Sequence, residues 1–208
     1  MRLKSYISAV LAVMTMIAVA CKDDTVKPGG GPPESVDARQ QVILNIEKAY
    51  NQRRIDSLDQ ALDANFTFYL ATGDVGNGLP ESWDRVEEVY VNSRLFDKNY
   101  AVLPAQSIFM DIRTENGVKW IESNPESAPD ETWYSATLYY NFKFEISPNT
   151  YIPNQGSKAV FTVRDAGTPT AHHWQLVEIR DLGGSSSLRA AAAATEPTTW
   201  GSVKALYR

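Results

Sequence analysis

The strictest constraint on the fold is an alternation that runs from Trp133 to Ile146. Tyr134, Ala136, Leu138, Tyr140, Phe142, Phe144 and Ile146 share one parity; Trp133, Ser135, Thr137, Tyr139, Asn141, Lys143 and Glu145 share the other. A period of two belongs to a strand with one face on a core and the other toward water. Related segments flank it: Ala105 to Arg113, Val118 to Ile121, Lys158 to Asp165 and His172 to Asp181. Asn116-Gly117 is a hairpin turn signal between the first two. Ser123 to Glu131, Pro148 to Gly156 and Gly167 to Thr170 read as loops or turns.

Before Leu103 the period is helical. Val42, Ile46, Ala49 and Tyr50 predict one apolar helix face between about Val36 and Arg53. Asp56 is placed to cap a second helix with Leu58, Ala61 and Leu62 on its face. Asn65 to Leu70 reads as a short strand. Pro80 suits the start of a third helix, with Glu81 and Asp84 in its first turn and Trp83, Val86, Val89 and Tyr90 as its buried side. Helices followed by a strongly curved antiparallel sheet predict a single α+β domain. The loop with Gly73, Gly76 and Gly78 lacks the Gly-Lys-Ser/Thr ending of a phosphate-binding loop.

The amino-terminal segment carries an address. Arg2 and Lys4 precede an apolar run from Tyr6 to Ala20, and Ala18-Val19-Ala20 puts small residues before Cys21, the single cysteine. That is the order of a secretory signal. It resembles a bacterial lipobox, which implies lipidation of Cys21, a membrane anchor at the cell envelope, and an outer-membrane location facing the periplasm or the surface. A plain secretory signal with an incidental cysteine is the competing reading; Ala18 stands where the lipobox pattern prefers Leu. A lone cysteine has no partner for a disulfide, and the apolar run is shorter than the roughly 20 residues that span a bilayer. Residues 1–20 are thus expected to be the signal peptide, 21–36 a lipidated cysteine and disordered tether, 37–184 the folded domain, and 185–208 an Ala-rich linker with a docking segment. The tether holds Gly29 to Gly31 and Pro32-Pro33 and has little apolar surface to bury. Its Lys22-Asp23-Asp24 resembles surface-export signals of Bacteroidota lipoproteins.

The chain has 20 basic and 25 acidic residues, with Arg2 and Lys4 inside the signal. An acidic domain without a basic patch argues against nucleic acid as a partner. Near the end, Trp200, Val203 and Leu206 or Tyr207 fall at helical spacing. This segment is expected to dock on the domain, to cover a partner, or to close a pocket mouth.

The run Ile46-Glu47-Lys48-Ala49-Tyr50-Asn51-Gln52-Arg53-Arg54-Ile55-Asp56-Ser57-Leu58, closing with Asp63-Ala64-Asn65-Phe66-Thr67-Phe68-Tyr69, resembles the opening of the nuclear transport factor 2-like superfamily. His173-Trp174-Gln175-Leu176-Val177-Glu178-Ile179 resembles its final strand. The resemblance covers about Asp37 to Leu182 and implies a cone: a bent sheet wrapped around helices, with an apolar pocket at its open end. Enzymes of the superfamily, such as ketosteroid isomerase and SnoaL-type cyclases, use an acidic base in that pocket, but no matching catalytic motif stands here.

Glu178 is the acid best placed by strand position, on the face of Trp174 and Leu176 if the strand is regular; a bulge reverses that assignment. Otherwise it is an exposed partner for Arg180 or Lys158. Tyr50, Tyr69, Trp83, Tyr140 and Trp174 are the candidate ligand-lining rings, with ordinary core packing as the alternative. His172 and His173 are adjacent in a strand and point to opposite faces, so no metal site is expected, nor any cofactor. The favoured expectation is a membrane-anchored lipoprotein domain that binds a small apolar ligand or an envelope partner without catalysis. Alternatives are an isomerase, dehydratase or cyclase using a pocket carboxylate, and an assembly module forming a homodimer through the outer sheet face of Trp133, Thr137 and Tyr139.

Overall fold

A computed structural model describes residues 36–75, 79–114, 116–146, 149–151, 157–168, 171–183 and 199–208. Cys21, the signal, the tether and the Ala-rich linker lie outside the described residues. Helix α1 (Ala38–Gln52) buries Val42, Ile43, Ile46, Ala49 and Tyr50, and the Asp37 carboxylate accepts the Arg39 N–H at its amino end. Arg53 ends it in the left-handed region, with φ at 54°. Helix α2 (Ile55–Ala61) buries Leu58; Asp56 lies within its first turn, and the capping position falls to Arg54, which makes no side-chain cap.

Strand β1 (Leu62–Tyr69) follows directly, and β2 (Ser82–Asp84) pairs with it. The helix expected from Pro80 begins only at Arg85. Ser82, Trp83 and Asp84 are held extended by the ladder with Tyr69, Phe68 and Thr67. Asp84 instead caps α3 (Arg85–Phe96) by accepting the Glu87 N–H at 2.9 Å. The buried face of α3 also differs from expectation. Glu88, Val91, Asn92, Leu95 and Phe96 face inward, while Val86 is 77% and Tyr90 44% exposed. The reason lies in what covers that face, described below.

The rest of the sheet comprises β3 (Ala105–Ile112), β4 (Ile121–Glu122), β5 (Trp133–Ile146), β6 (Asn149–Tyr151), β7 (Ser157–Asp165) and β8 (Trp174–Gly183). The main order is β2-β1-β8-β7-β5-β3, with β4 and β6 also paired to β5. All pairs are antiparallel except β1 with β8, so the sheet is mixed. The Asn116-Gly117 turn forms, with the Gly117 N–H donating to Thr114 O at 3.0 Å. It does not close a hairpin: β3 and β4 each pair with β5. The long strand β5 is therefore the organiser, and its Ala136, Leu138, Tyr140, Phe142, Phe144 and Ile146 are all buried.

Helix α1 is fixed along β3, at the end of that order, by side chains that reach backbone. Asn51 accepts the Met110 N–H and donates to Met110 O, both at 2.8 Å, and Glu47 accepts the Ile112 N–H at 2.8 Å. These bonds use edge groups that a bare strand would leave open. The sheet curves around α1 and leaves an interior bounded by α1, α3, β1, β5, β7 and β8. Helix α4 (Trp200–Ala205) occupies it. The described residues include no helix long and apolar enough to cross a membrane.

Candidate functional site

The interior is assembled from one or two residues of each wall. Tyr50 comes from the last turn of α1, Phe66 and Phe68 from β1, Trp83 from β2, Glu88 and Asn92 from α3, Tyr140 from β5, and Asp181 from β8. All are at most 5% exposed. Alternation explains most of them. Phe66 and Phe68 share a strand face, so Tyr69 falls on the opposite one, where it lies half-buried beneath Arg180 at 3.9 Å.

Strand β8 breaks that alternation. Val163 pairs with Leu176 while the next ladder position, Thr162, pairs with Glu178, so Val177 is inserted as a bulge. Leu176 and Val177 are both buried, and every residue after them changes face. Glu178 is thereby turned out of the interior, opposite Thr162 and Thr67, and pairs with Arg180 at 3.2 Å. The assignment that a regular strand gives Glu178 is corrected by this bulge. Ile179 and Asp181 are the residues turned inward.

Helix α4 fills the space between these walls. Thr199 caps it by accepting the Ser202 N–H at 3.0 Å, and Ser202 reciprocates to the Thr199 N–H at 2.9 Å. Trp200, Val203 and Lys204 are fully buried, and Tyr207 is nearly so. The Trp200 ring centroid lies 5.5 Å from Tyr50, 5.6 Å from Phe68, 5.5 Å from Tyr140 and 6.2 Å from Phe161. The Tyr50 and Phe68 contacts are edge-to-face, a geometry that adds about 0.5–1.5 kcal/mol per pair beyond area burial. Gly201 permits the approach. A Cβ there would lie 3.2 Å from Leu70 Cγ and 3.3 Å from Phe68 Cε1.

Two carboxylates organise the polar contacts. Glu88 receives Lys204 Nζ at 2.7 and 2.9 Å, Trp83 Nε1 at 2.7 Å, Asn92 Nδ2 at 2.9 Å and the Tyr50 hydroxyl at 3.4 Å. Lys204 Nζ also lies 3.3 Å from the Phe68 ring centroid and 4.5 Å from that of Trp200. Burial lowers the Lys204 ammonium to about 8, against the upward pull of Glu88 and the more distant Asp181. Asp181 accepts the Tyr140 hydroxyl at 3.0 Å, the Gly183 N–H at 2.9 Å and the Gly201 N–H at 3.1 Å. Burial pushes its carboxyl above the ordinary range against those donors. Burial first, then the adjacent carboxylate, raises the Tyr50 and Tyr140 hydroxyls well above the usual phenol range.

This explains the polar buried face of α3. Glu88 and Asn92 face inward because their partner is a lysine from the far end of the chain. The outer end of α3 is tied to the same segment: Arg94 donates to the carbonyls of Tyr207 and Arg208, and Arg208 pairs with Glu87 at 2.7 Å.

Of the candidate rings, Tyr50, Trp83 and Tyr140 are brought together around Trp200 and Lys204. Trp174 is not among them. It is half-buried beside Tyr134 at 5.8 Å, with Arg39 over both rings, in a groove of about 360 Å³ that also holds Val42, Asn45, Ala49 and His173. His172 bonds Asp165, and the described residues contain no group of three His, Cys, Asp or Glu placed to hold a metal. On the outer sheet face Tyr139 is 44% exposed under Lys158, Thr137 is exposed, and Trp133 is half-buried with its Nε1 bonded to Glu131.

Sequence reasoning missed Glu88, Asn92, Asp181 and Lys204. The spacing of Glu88, Asn92 and Leu95 on one face of α3 was readable. What was missing was the reason to bury a carboxylate there.

No protein-family model matches the chain, and no curated protein matches it. Solved structures are similar to it in fold. A function-unknown protein from Mycobacterium tuberculosis superposes with a TM-score of 0.51 at 6% identity, over 82% of this chain and 91% of that one. An NTF2-like protein of unknown function in nutrient uptake from Rhodospirillum rubrum gives 0.45 at 9% identity, over 69% and 96%. A candidate dehydratase of the NTF2-like family from Streptomyces avermitilis gives 0.43 at 12%, over 68% and 89%. The chain is an α+β cone whose sheet is not closed, similar in architecture to these structures, two of which are NTF2-like by name. At these identities the likeness is one of fold alone.

Proposed function

We propose that this chain is a non-catalytic binding domain of the bacterial cell envelope, anchored to the membrane by lipid on Cys21, whose ligand site is the cone interior. One observation carries the reading: the interior has aromatic walls and two buried carboxylates, and both carboxylates are engaged by donors of the chain itself. A general base needs a lone pair facing a substrate proton. Glu88 is neutralised by Lys204 and Asp181 accepts three hydrogen bonds, which favours binding over proton transfer.

The enzymatic alternative has one observation in its favour, the Asp181–Tyr140 contact at 3.0 Å with the Asp181 carboxyl raised by burial. A pair of this kind can move a proton once a substrate displaces Gly201 and Trp200 from it. The homodimer reading rests on Tyr139 and Phe109, which is 53% exposed; Lys143, Glu145 and Lys158 interrupt that face with charge.

The binding reading is tested with the neutral fluorophore N-phenyl-1-naphthylamine. Trp200→Ala in the full chain opens space in the interior and is expected to take up one dye per chain, with the unaltered protein taking up far less. A folded Trp200→Ala protein that binds no dye overturns the reading; Val203→Ala serves if Trp200→Ala does not fold. The anchor is tested separately: the mature chain in the membrane fraction should begin at an acylated Cys21, and a lipid-free soluble chain would refute anchoring.

A further inference from the structure

Taking an ammonium out of water costs several kcal/mol unless a carboxylate and other acceptors receive it. The cone walls supply such a reception without any help from α4. Glu88 and Asn92 come from α3, Phe68 from β1, Trp83 from β2 and Tyr50 from α1; Trp200 and Lys204 are the guests. The guests present a cation 4.5 Å from the centroid of an aromatic ring, on side chains one helical turn apart. Around the cation stand Glu88 at 2.7 and 2.9 Å, the Phe68 ring at 3.3 Å and the Trp83 ring at 5.6 Å. Asp181 adds a longer-range negative field from β8.

The fit of host to guest is incomplete. Asn92 is fully buried, yet among the described residues its Oδ1 has no hydrogen-bond donor, although Nδ2 is used twice. Among the described residues, the Lys204 ammonium donates its hydrogen bonds to Glu88. A plug needed only for stability is served as well by an apolar residue paired with an apolar wall. A carboxylate and the faces of the Phe68 and Trp83 rings gathered around one ammonium describe a receptor for a cation.

We infer that the cone interior recognises an organic ammonium joined to an aromatic ring, of the arylethylamine class, and that Trp200 and Lys204 occupy the site in cis as a displaceable stand-in. The inference rests on the reading of the interior as the ligand site. A two-carbon spacer holds an ammonium at a separation from its ring comparable to that between the two guest side chains. A neutral ligand would leave Glu88 buried and unpaired, and an anion would meet Glu88 and Asp181. Binding in this way displaces α4, taking the Gly201 N–H from Asp181 and the Trp200 N–H from Tyr140. Affinity is reduced by the fraction of chains in which the segment is seated.

The test uses the full chain with tryptamine, with 3-ethylindole as the neutral probe and indole-3-propionate as the anion. Calorimetry reads binding, and amide exchange reads residues 200–207. Tryptamine is expected to bind one per chain, to speed exchange in α4 and to slow it in α3, with neither control doing so. Trp200→Ala/Lys204→Ala should bind tryptamine at least about tenfold more tightly, because the competing guests are gone. Equal binding of 3-ethylindole and tryptamine overturns the ammonium class and leaves the interior as a ligand site. If the folded double variant binds none of the three probes nor the naphthylamine dye, both readings fall. Should the double variant not fold, exchange in the unaltered chain decides: no acceleration at 200–207 with tryptamine overturns the inference. A dimer formed by exchanged segments would assign the interior to a second copy and also overturn it.

Discussion

Lys204 and Glu88 form an ion pair with both side chains at most 1% exposed, though 116 residues separate them in sequence. The pair joins the last helix to α3 across the cone interior. It decides which face of α3 is buried and what chemistry the interior holds.

Breaking one side of this pair should cost far more than replacing both. Lys204→Met leaves Glu88 charged, buried and without its cation, and is expected to lose about 3–5 kcal/mol of unfolding free energy. Glu88→Leu combined with Lys204→Met removes both charges and should recover most of that loss. Urea denaturation of the two singles and the double gives the coupling. Additive single effects would show that the pair is not formed.

The same lysine gives a pH dependence of definite sign. Its folded-state value, about 8, lies below the 10.5 of an unfolded lysine. Between these values the unfolded chain holds a proton that the folded chain has released, so stability rises with pH. The contribution is fully present above 10.5 and lost as pH falls through 8. Unfolding free energy of the unaltered protein minus that of Lys204→Met, followed from pH 7.5 to 9.5, should climb. The raised Tyr50 and Tyr140 hydroxyls act in the opposite sense only as unfolded tyrosine ionises near 10, so the upper limit keeps them out.

Trp200 is the largest fully buried side chain among the described residues. Trp200→Ala should cost about 3–5 kcal/mol, the range for removing a large aromatic from a core. The loss should be accompanied by faster amide exchange in residues 200–207 than in β5. A thermal midpoint unchanged from the parent would mean that α4 is not seated.

Glu178 and Asp181 should separate cleanly in a stability measurement. Glu178→Ala removes a half-exposed partner of Arg180 and should stay within about 0.5 kcal/mol of the parent. Asp181→Ala strands the Tyr140 hydroxyl and the Gly183 and Gly201 N–H groups in the interior, at about 1–3 kcal/mol for an unsatisfied buried group. Equal effects would contradict the bulge at Val177.

Gly201→Val tests the close approach of α4 to β1. Leu70 Cγ and Phe68 Cε1 stand 3.2 and 3.3 Å from the position of a Cβ, and two further methyl groups have no room. Helix α4 should be pushed outward, shifting the Trp200 fluorescence toward that of a solvated indole. A spectrum like the parent's would show that the strands yield instead.

Much of the cone was legible in residue order. The alternation of β5 placed Ala136 through Ile146 inside, and the i, i+4, i+7, i+8 set of α1 placed Tyr50 there, whereas Tyr69, taken as a lining ring, falls on the strand face opposite Phe66 and Phe68. Each is a local periodicity, and local periodicity is what a chain displays without folding. The errors arose where a residue's state depends on a distant partner. Trp83 reads as a helix residue until β1 holds it extended, and Val86 and Tyr90 read as buried until Lys204 claims the opposite face of α3. Glu178 reads as inward in a regular strand and as an outward partner of Arg180 in a bulged one, and the insertion of Val177 selects the second.

Residue order alone carries most of the elements, the α+β class and an apolar pattern at residues 200–207 that a solvated tail has no use for. That this pattern fills the cone, that Glu88 and Asp181 are its acids and that Lys204 is its cation emerge only once the chain is folded, because a buried charge is tolerable only beside its counter-charge. The identity of that counter-charge is fixed by where the chain returns in space.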